Sequence, residues 1–393
     1  MADFIPITKP YFTQQDKEMV QKPLESGWVV QGEQVEEFEN TFASFCDAGY
    51  GVATSSCTSA LHLAMRCMEP EPGDEVIVPG FTWITTANVV EYENATPVFC
   101  DINLDTFNLR VDSLGNVITE DTVGIIPVHL FGLSADMDPI LEMASAHDLW
   151  VVEDAACGLG AVYDDQHVGT FGEAGCFSFH PRKSITTGEG GMVVTDQPDI
   201  DRNCRSLRDH GATRTDRERH EGEGGSLLPE YPKLGYNYRM TDIQAAVGNA
   251  QMEHIDYILK ERRKQAGIYN DLLSDVEWLK TPTVPEGYEH GYQSYVTLFC
   301  PEEPSINNVE RLHQSRNNVM EELENNNIAT RPGTHAAVFQ EYYRNRYDYT
   351  KHQLPNSYLA QQLTLTLPMY VGLEPSDQER VVGALKGSVS EGI

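Results

Sequence analysis

The sequence predicts an α/β fold, with a large unit built on a mostly parallel sheet between helices and a smaller C-terminal α/β unit. Two observations carry this expectation. Short apolar runs alternate with amphipathic helical stretches through the first two thirds of the chain, as in a parallel sheet whose crossover helices cover both faces. The chain is also 393 residues long, more than one hydrophobic core usually serves. The expected division is a large domain over 1–260 and a small one over 261–393.

In chain order, the run beginning at Val52 reads as a strand, then a turn of small residues, then a helix over Cys57–Met68. Strands are expected at Glu75–Pro79, 96–101 and 123–128, with a helix over 81–94 after the Pro79-Gly80 turn. A helix over 137–147 leads to a strand at 150–153, whose Trp150-Val151-Val152 run is apolar enough to be buried on both faces. Another strand is expected at 174–179. The stretch 216–231 is charged and Gly-rich and reads as a long loop, either a lid, a dimer-crossing arm or a tolerated insertion. One helical pattern then runs from Met240 towards Asp271 and links the domains, with Lys260-Glu-Arg-Arg-Lys264 as an exposed face. Beyond it, Glu341 to Tyr349 form an aromatic and charged loop, able to line a sugar pocket or simply to pack locally.

Composition narrows the function classes. The formal charge of −32 argues against nucleic acid or an anionic membrane as a partner. An acid excess of this size suits a high-salt cytoplasm, and loss of activity in strong salt would count against that habitat. The eight cysteines form no C-x-x-C pair and no metal-like cluster with histidine, so no metal site is expected and a reducing compartment is. No apolar run approaches the ~18 residues that span a bilayer, and Met1-Ala-Asp-Phe-Ile-Pro is too short and acidic for a secretory signal. The expected location is cytoplasmic.

Four local patterns point to one cofactor. Lys183 lies between an apolar aromatic run and the Thr187-Gly-Glu-Gly-Gly191 loop. A lysine in a buried, partly cationic setting gives up its proton more easily and becomes a nucleophile towards aldehydes, pyridoxal phosphate above all. The flexible glycines let backbone pass close to such a group. Asp154 ends an expected parallel strand, at the edge where α/β sheets bind ligands, and suits a pyridinium nitrogen. The turn at Ser56-Cys57-Thr58 opens a helix and offers amides and hydroxyls to a phosphate. Trp83, at the start of a helix, suits the face of an aromatic ring.

With these motifs in order, the chain resembles the DegT/StrS-type sugar aminotransferases, fold-type I enzymes that use pyridoxal phosphate. The resemblance runs from Pro10-Tyr-Phe through Gly27-Trp-Val-Val-Gln-Gly-Glu to Gly235-Tyr-Asn-Tyr-Arg-Met, and on to Arg331-Pro-Gly-Thr-His335. It implies a seven-stranded, mostly parallel sheet in the large domain and a homodimer with shared active sites. It also implies that Lys183 forms the Schiff base and shuttles the proton, and that Asp154 holds the pyridinium nitrogen. Ser178, with Cys57 and Thr58, would bind the phosphate; Trp83 would stack on the ring. Asn237 would reach the phosphate in the partner subunit's site. Arg331, His335 and Arg239 would contact substrate. Cys157 stands where the family often has Gln or His beside the ring oxygen, and a thiol is a poorer hydrogen-bond partner. Cys57 stands where the phosphate turn often has Gly, a strained position if the backbone there is left-handed.

The reaction implied is ping-pong transfer of an amino group from L-glutamate to a 3- or 4-keto group of a nucleotide-linked deoxyketosugar. Arg182, Arg208, Arg214, Arg239 and Arg331 are the cations available to such an anionic substrate. The rival readings are a different acceptor (a cyclitol ketone, a keto-octulosonate, a simple aldehyde or amine) and a non-catalytic regulatory protein that retains the cofactor. Related dehydratases replace the Schiff-base lysine with histidine; Lys183 is retained here, which favours transamination.

Overall fold

The computed structural model describes residues 3–214 and 229–389. The expected loop at 216–231 therefore lies almost wholly outside the described residues.

The large sheet is assembled from seven strands. Helix α1 (Glu33–Cys46) precedes β1 (Tyr50–Thr54), and α2 (Cys57–Met68) follows it. Then come β2 (Glu75–Pro79), α3 (Thr85–Tyr92), β3 (Thr96–Cys100), β4 (Thr122–Ile125), α4 (Met137–Ala146) and β5 (Trp150–Asp154). Strands β6 (Ala174–Ser178) and β7 (Gly191–Thr195) complete it, followed by α5 (Pro198–Arg208). The spatial order is β1-β7-β6-β5-β4-β2-β3. Every neighbouring pair is parallel except the two that β7 makes, with β1 and β6. β7 therefore runs against the other six. The six parallel strands end on one edge, and there the backbone must turn out of the sheet. That edge holds Ser55 to Thr58 after β1, Gly80 to Trp83 after β2, Asp154 at the end of β5 and Ser178 at the end of β6.

Helices α6 (Asp242–Glu253) and α7 (Ile255–Leu272) follow. One continuous helix was expected over 240–271, and His254 interrupts it. The His254 amide bonds Gln251 O and Met252 O instead of the carbonyl four residues back, which tightens the turn. The expected boundary at 260/261 falls inside α7. The remaining chain forms a three-stranded antiparallel sheet from β8 (Leu279–Lys280), β9 (Tyr295–Phe299) and β10 (Thr364–Leu367), covered by α8 (Val309–Asn325) and α9 (Pro375–Gly387). Tyr269, Tyr295, Phe299, Leu312, Leu323 and Leu385 lie in one buried cluster of this part.

Several local expectations are corrected. The helix predicted over 81–94 starts at Thr85, because Phe81 is held extended by an antiparallel bridge to Ala336. Arg262, expected on an exposed face, is buried, and its Nη1 donates to Tyr292 O and Gln293 O. Arg208, a candidate for substrate phosphate, is also buried; it pairs with Glu39 and donates to Ala53 O. Residues 341–349 are largely helical, over Glu341–Arg346, and Tyr343, Tyr347 and Tyr349 meet the edge of Phe99 on β3, so they pack locally.

Candidate active site

The turn after β1 is the one expected to seat an anion. Ser56 caps α2, its hydroxyl accepting from the Ser59 amide at 3.2 Å. The Cys57 and Thr58 amides belong to the first turn, where no helical carbonyl is available. Ser55, Ser56, Cys57 and Thr58 are all half-buried, so this end of α2 is screened yet reachable. Cys57 lies at the first helical position with no positive φ, so replacing a glycine there carries no backbone strain. Gly191 supports the turn from below: a Cβ there would meet Ser56 O at 2.4 Å and Cys57 N at 2.6 Å. Ser178, half-buried at the end of β6, lies at the same strand edge.

Asp154 ends β5 and is buried. Its Oδ2 accepts the Thr86 hydroxyl at 2.7 Å and its Oδ1 accepts the Ala156 amide at 3.1 Å. Burial pushes its pKa up, with the two hydrogen bonds and the nearby Lys183 pulling the other way. No ion pair to Asp154 occurs among the described residues, which leaves a desolvated carboxylate suited to a cationic ring nitrogen. Thr86 escaped the sequence reading. Its signal was spacing, since it lies one helical turn after Trp83.

Lys183 Nζ donates to Cys157 Sγ at 3.0 Å. The partly cationic setting expected for Lys183 is not what surrounds it. Burial lowers its pKa, but Cys157, Cys57 and Asp154 together outweigh that and hold it above the ordinary value. Lys183 is therefore an ammonium that donates to the Cys157 sulfur. The glycine loop is also more tightly stitched than expected. Thr186 Oγ1 donates to Phe179 O and accepts from the Gly188 amide, while the Thr187 hydroxyl donates to Glu189 O. Only Gly188, at φ 82°, needs a glycine for its backbone conformation.

Around the mouth, Trp83 is 54% exposed, and its ring centroid lies 5.7 Å from that of His335. Arg331 is half-buried and has its pKa lowered by burial and by neighbouring Arg182. His180 is lowered by burial first, then by Arg182, Lys183 and Arg331. Gln293 anchors this rim by donating to Arg182 O at 2.7 Å. Arg239 is bound to Asp209, and Arg214 is exposed. Asn237 is exposed, and its backbone bridges Asp209.

A capped helix start with free amides, a buried carboxylate without an ion-pair partner among the described residues, and an amine along one strand edge match the three fixed points of the expected cofactor. The residues present therefore fit it.

Comparison with known proteins agrees with that fit. The sequence model of the DegT/DnrJ/EryC1/StrS aminotransferase family matches residues 10–386. The GDP-perosamine synthase of Caulobacter vibrioides is 36% identical over 97% of both chains. The spore coat polysaccharide biosynthesis protein SpsC of Bacillus subtilis is 34% identical over 98% of this chain and 97% of its own. Spr1654 of Streptococcus pneumoniae, solved in PMP and PLP forms, superposes with a TM-score of 0.88 in each. The PLP form is 27% identical and matches over 98% of both chains.

Proposed function

The chain belongs to the DegT/DnrJ/EryC1/StrS aminotransferase family, and from that premise we propose that it moves an amino group from L-glutamate to a keto carbon of a nucleotide-linked deoxysugar. It is a pyridoxal-phosphate-dependent aminotransferase. The observation that carries the site assignment is the convergence of Asp154, Lys183 and the Ser56–Thr58 turn at one edge of the parallel sheet.

When bound, pyridoxal phosphate supplies an electron-withdrawing ring that stabilises charge at the carbon losing its proton. Lys183 would hold it covalently and, once released, carry that proton between donor carbon and cofactor carbon. Asp154 would keep the ring nitrogen protonated; its burial makes the pairing strong, and Thr86 fixes the carboxylate's orientation. The Cys57 and Thr58 amides and hydroxyl, with Ser178, would take the phosphate. Trp83 would cover one ring face. Cys157 would lie beside the ring oxygen, where its weak hydrogen bonding replaces a stronger partner. Arg331, His335 and Arg239 would contact substrate, with Arg182 adding charge at the rim.

The nucleotide-linked acceptor is supported by the name of the GDP-perosamine synthase relative and by Arg182 and Arg331 at the mouth of an otherwise strongly acidic protein. The proposed assembly is a homodimer in which Asn237 of the partner subunit reaches the phosphate. It is supported by the exposure of Asn237 beside Leu234, which is 84% exposed. The proposed location is the cytoplasm, supported by eight free cysteines. No helix among the described residues is long and apolar enough to cross a membrane.

The test takes the cofactor-loaded protein in two stages. With L-glutamate alone, one equivalent of 2-oxoglutarate per site is expected, with loss of the visible cofactor band. Adding a nucleotide-linked ketosugar should then regenerate the band and yield an aminosugar. Absence of 2-oxoglutarate would overturn the donor, and a first stage that no nucleotide sugar completes would overturn the acceptor.

A further inference from the structure

Away from the site, two thiols face each other. Cys67, on the last turn of α2, and Cys204, in the middle of α5, have their sulfurs 3.5 Å apart. The helices pack directly, so backbone on both sides is held in regular structure. Cys204 is fully buried and Cys67 half-buried, which makes the two thiols unequal. Cys67 is the one a reagent can reach.

Its surroundings favour the thiolate. The contact with Cys204 lowers the Cys67 pKa, burial opposes this, Lys233 and Arg66 lower it further, and Glu69 raises it. Cys204 is pushed well above the ordinary thiol range by the same contact and by burial. Lys233 is tied in place by a 2.6 Å bond from its Nζ to Asn203 Oδ1, next to Cys204 in sequence. A partly exposed thiol in contact with a buried one is the arrangement in which one sulfur attacks and the other resolves.

We propose that Cys67 and Cys204 form a reversible oxidation site, closing a disulfide that staples α2 to α5. With a small disulfide such as oxidised glutathione as oxidant, the Cys67 thiolate attacks one sulfur and releases one glutathione thiolate. Cys204 then attacks Cys67 Sγ, its proton passing to the departing glutathione thiolate, which leaves as the second glutathione. Two protein thiols are oxidised, one glutathione disulfide is reduced to two thiols, and atoms and electrons balance. The sulfurs must close from 3.5 Å to about 2.05 Å.

The position gives the staple a consequence. The start of α2 is the phosphate turn, and the end of α5 runs straight into Asp209, which bridges Asn237 and pairs with Arg239. The disulfide would join the helix that seats the cofactor to the segment that presents Asn237, closing a loop of 137 residues in sequence. Long closed loops restrict the unfolded chain most.

The experiment incubates the cofactor-loaded protein with oxidised glutathione under non-denaturing conditions, blocks free thiols and maps peptides by mass spectrometry, alongside Cys67→Ser and Cys204→Ser. The expected result is loss of two of the eight thiols in a Cys67–Cys204 cross-link and a rise in Tm on the order of 5 °C, reversed by dithiothreitol. Both should be absent from Cys67→Ser, and Cys204→Ser should stop at a glutathionylated Cys67. Retention of all eight thiols, glutathionylation of Cys67 in the wild type without closure, or cross-linking elsewhere would each overturn the proposal. The peptide map of the wild-type protein decides the matter even if a serine variant folds poorly.

Discussion

Lys183 is held as an ammonium by neighbours that are anionic or thiol, so its reactivity depends on what displaces those contacts. Lys183→Ala should bind cofactor non-covalently and lose turnover on the order of 10⁴-fold; near-normal rates in a transamination assay would remove it from the mechanism. Asp154 offers a sharper test because function and stability should part company there. Its folded pKa is raised above the ordinary 3.8, so in that window the folded chain binds more protons than the unfolded one. The stability of the cofactor-free protein therefore falls as pH rises through the window. Asp154→Asn should cut activity about 10²–10³-fold while leaving the cofactor-free protein at least as stable at neutral pH as the wild type, read as Tm with and without cofactor. A destabilised cofactor-free Asp154→Asn would mean that the carboxylate serves the fold. Lys183 and Asp154 were legible as residues in the sequence, whereas the acidity of the setting was not. Cys57 follows β1, Asp154 ends β5 with Cys157 just beyond it, and Lys183 follows β6, three strand ends that meet only in three dimensions.

At the scale of elements, α2 and β2 occupy the residues expected from periodicity, because hydrophobic spacing and a serine cap act locally. The errors fall where tertiary contacts override that signal. Phe81 is drawn into a bridge with Ala336, and α7 turns Arg262 inward against two carbonyls. Gly191 shows the same dependence: its Cβ space is filled by the Ser56–Cys57 turn. Gly191→Ala should loosen cofactor binding about tenfold or more, by displacing Ser56 and Cys57, and equilibrium dialysis against pyridoxal phosphate would measure it. Glu39 joins α1 to α5 through Arg205 and Arg208. Burial opposes its ionisation, yet the two guanidinium groups outweigh it and lower its pKa below the ordinary 4.5. Its contribution is therefore complete above that value and is lost as pH falls through the lowered one. Glu39→Gln should cost about 3–5 kcal/mol by leaving Arg208 buried beside a neutral partner, measured by urea denaturation at neutral pH.

For the whole molecule, the decisive prediction concerns the shared site. If Asn237 serves the partner's cofactor, Lys183→Ala and Asn237→Ala proteins should each be impaired alone. Hybrids made by mixing the two under dissociating conditions should regain about half of one wild-type site pair, because one site then has both residues intact and the other lacks both. Mixtures no more active than their parents would mean that each subunit completes its own site. By itself the sequence determined the α/β class, the strand-end position of Asp154 and the capped helix at Cys57, because these follow from local periodicity and from residue chemistry at fixed spacing. Only the tertiary structure decided the rest. It settled which arginines are free and which are buried, that Thr86 orients Asp154, that Lys183 rests on Cys157, and that Cys67 faces Cys204. Each of these is a meeting of residues far apart along the chain, and packing several elements together sets such distances where spacing along one element cannot.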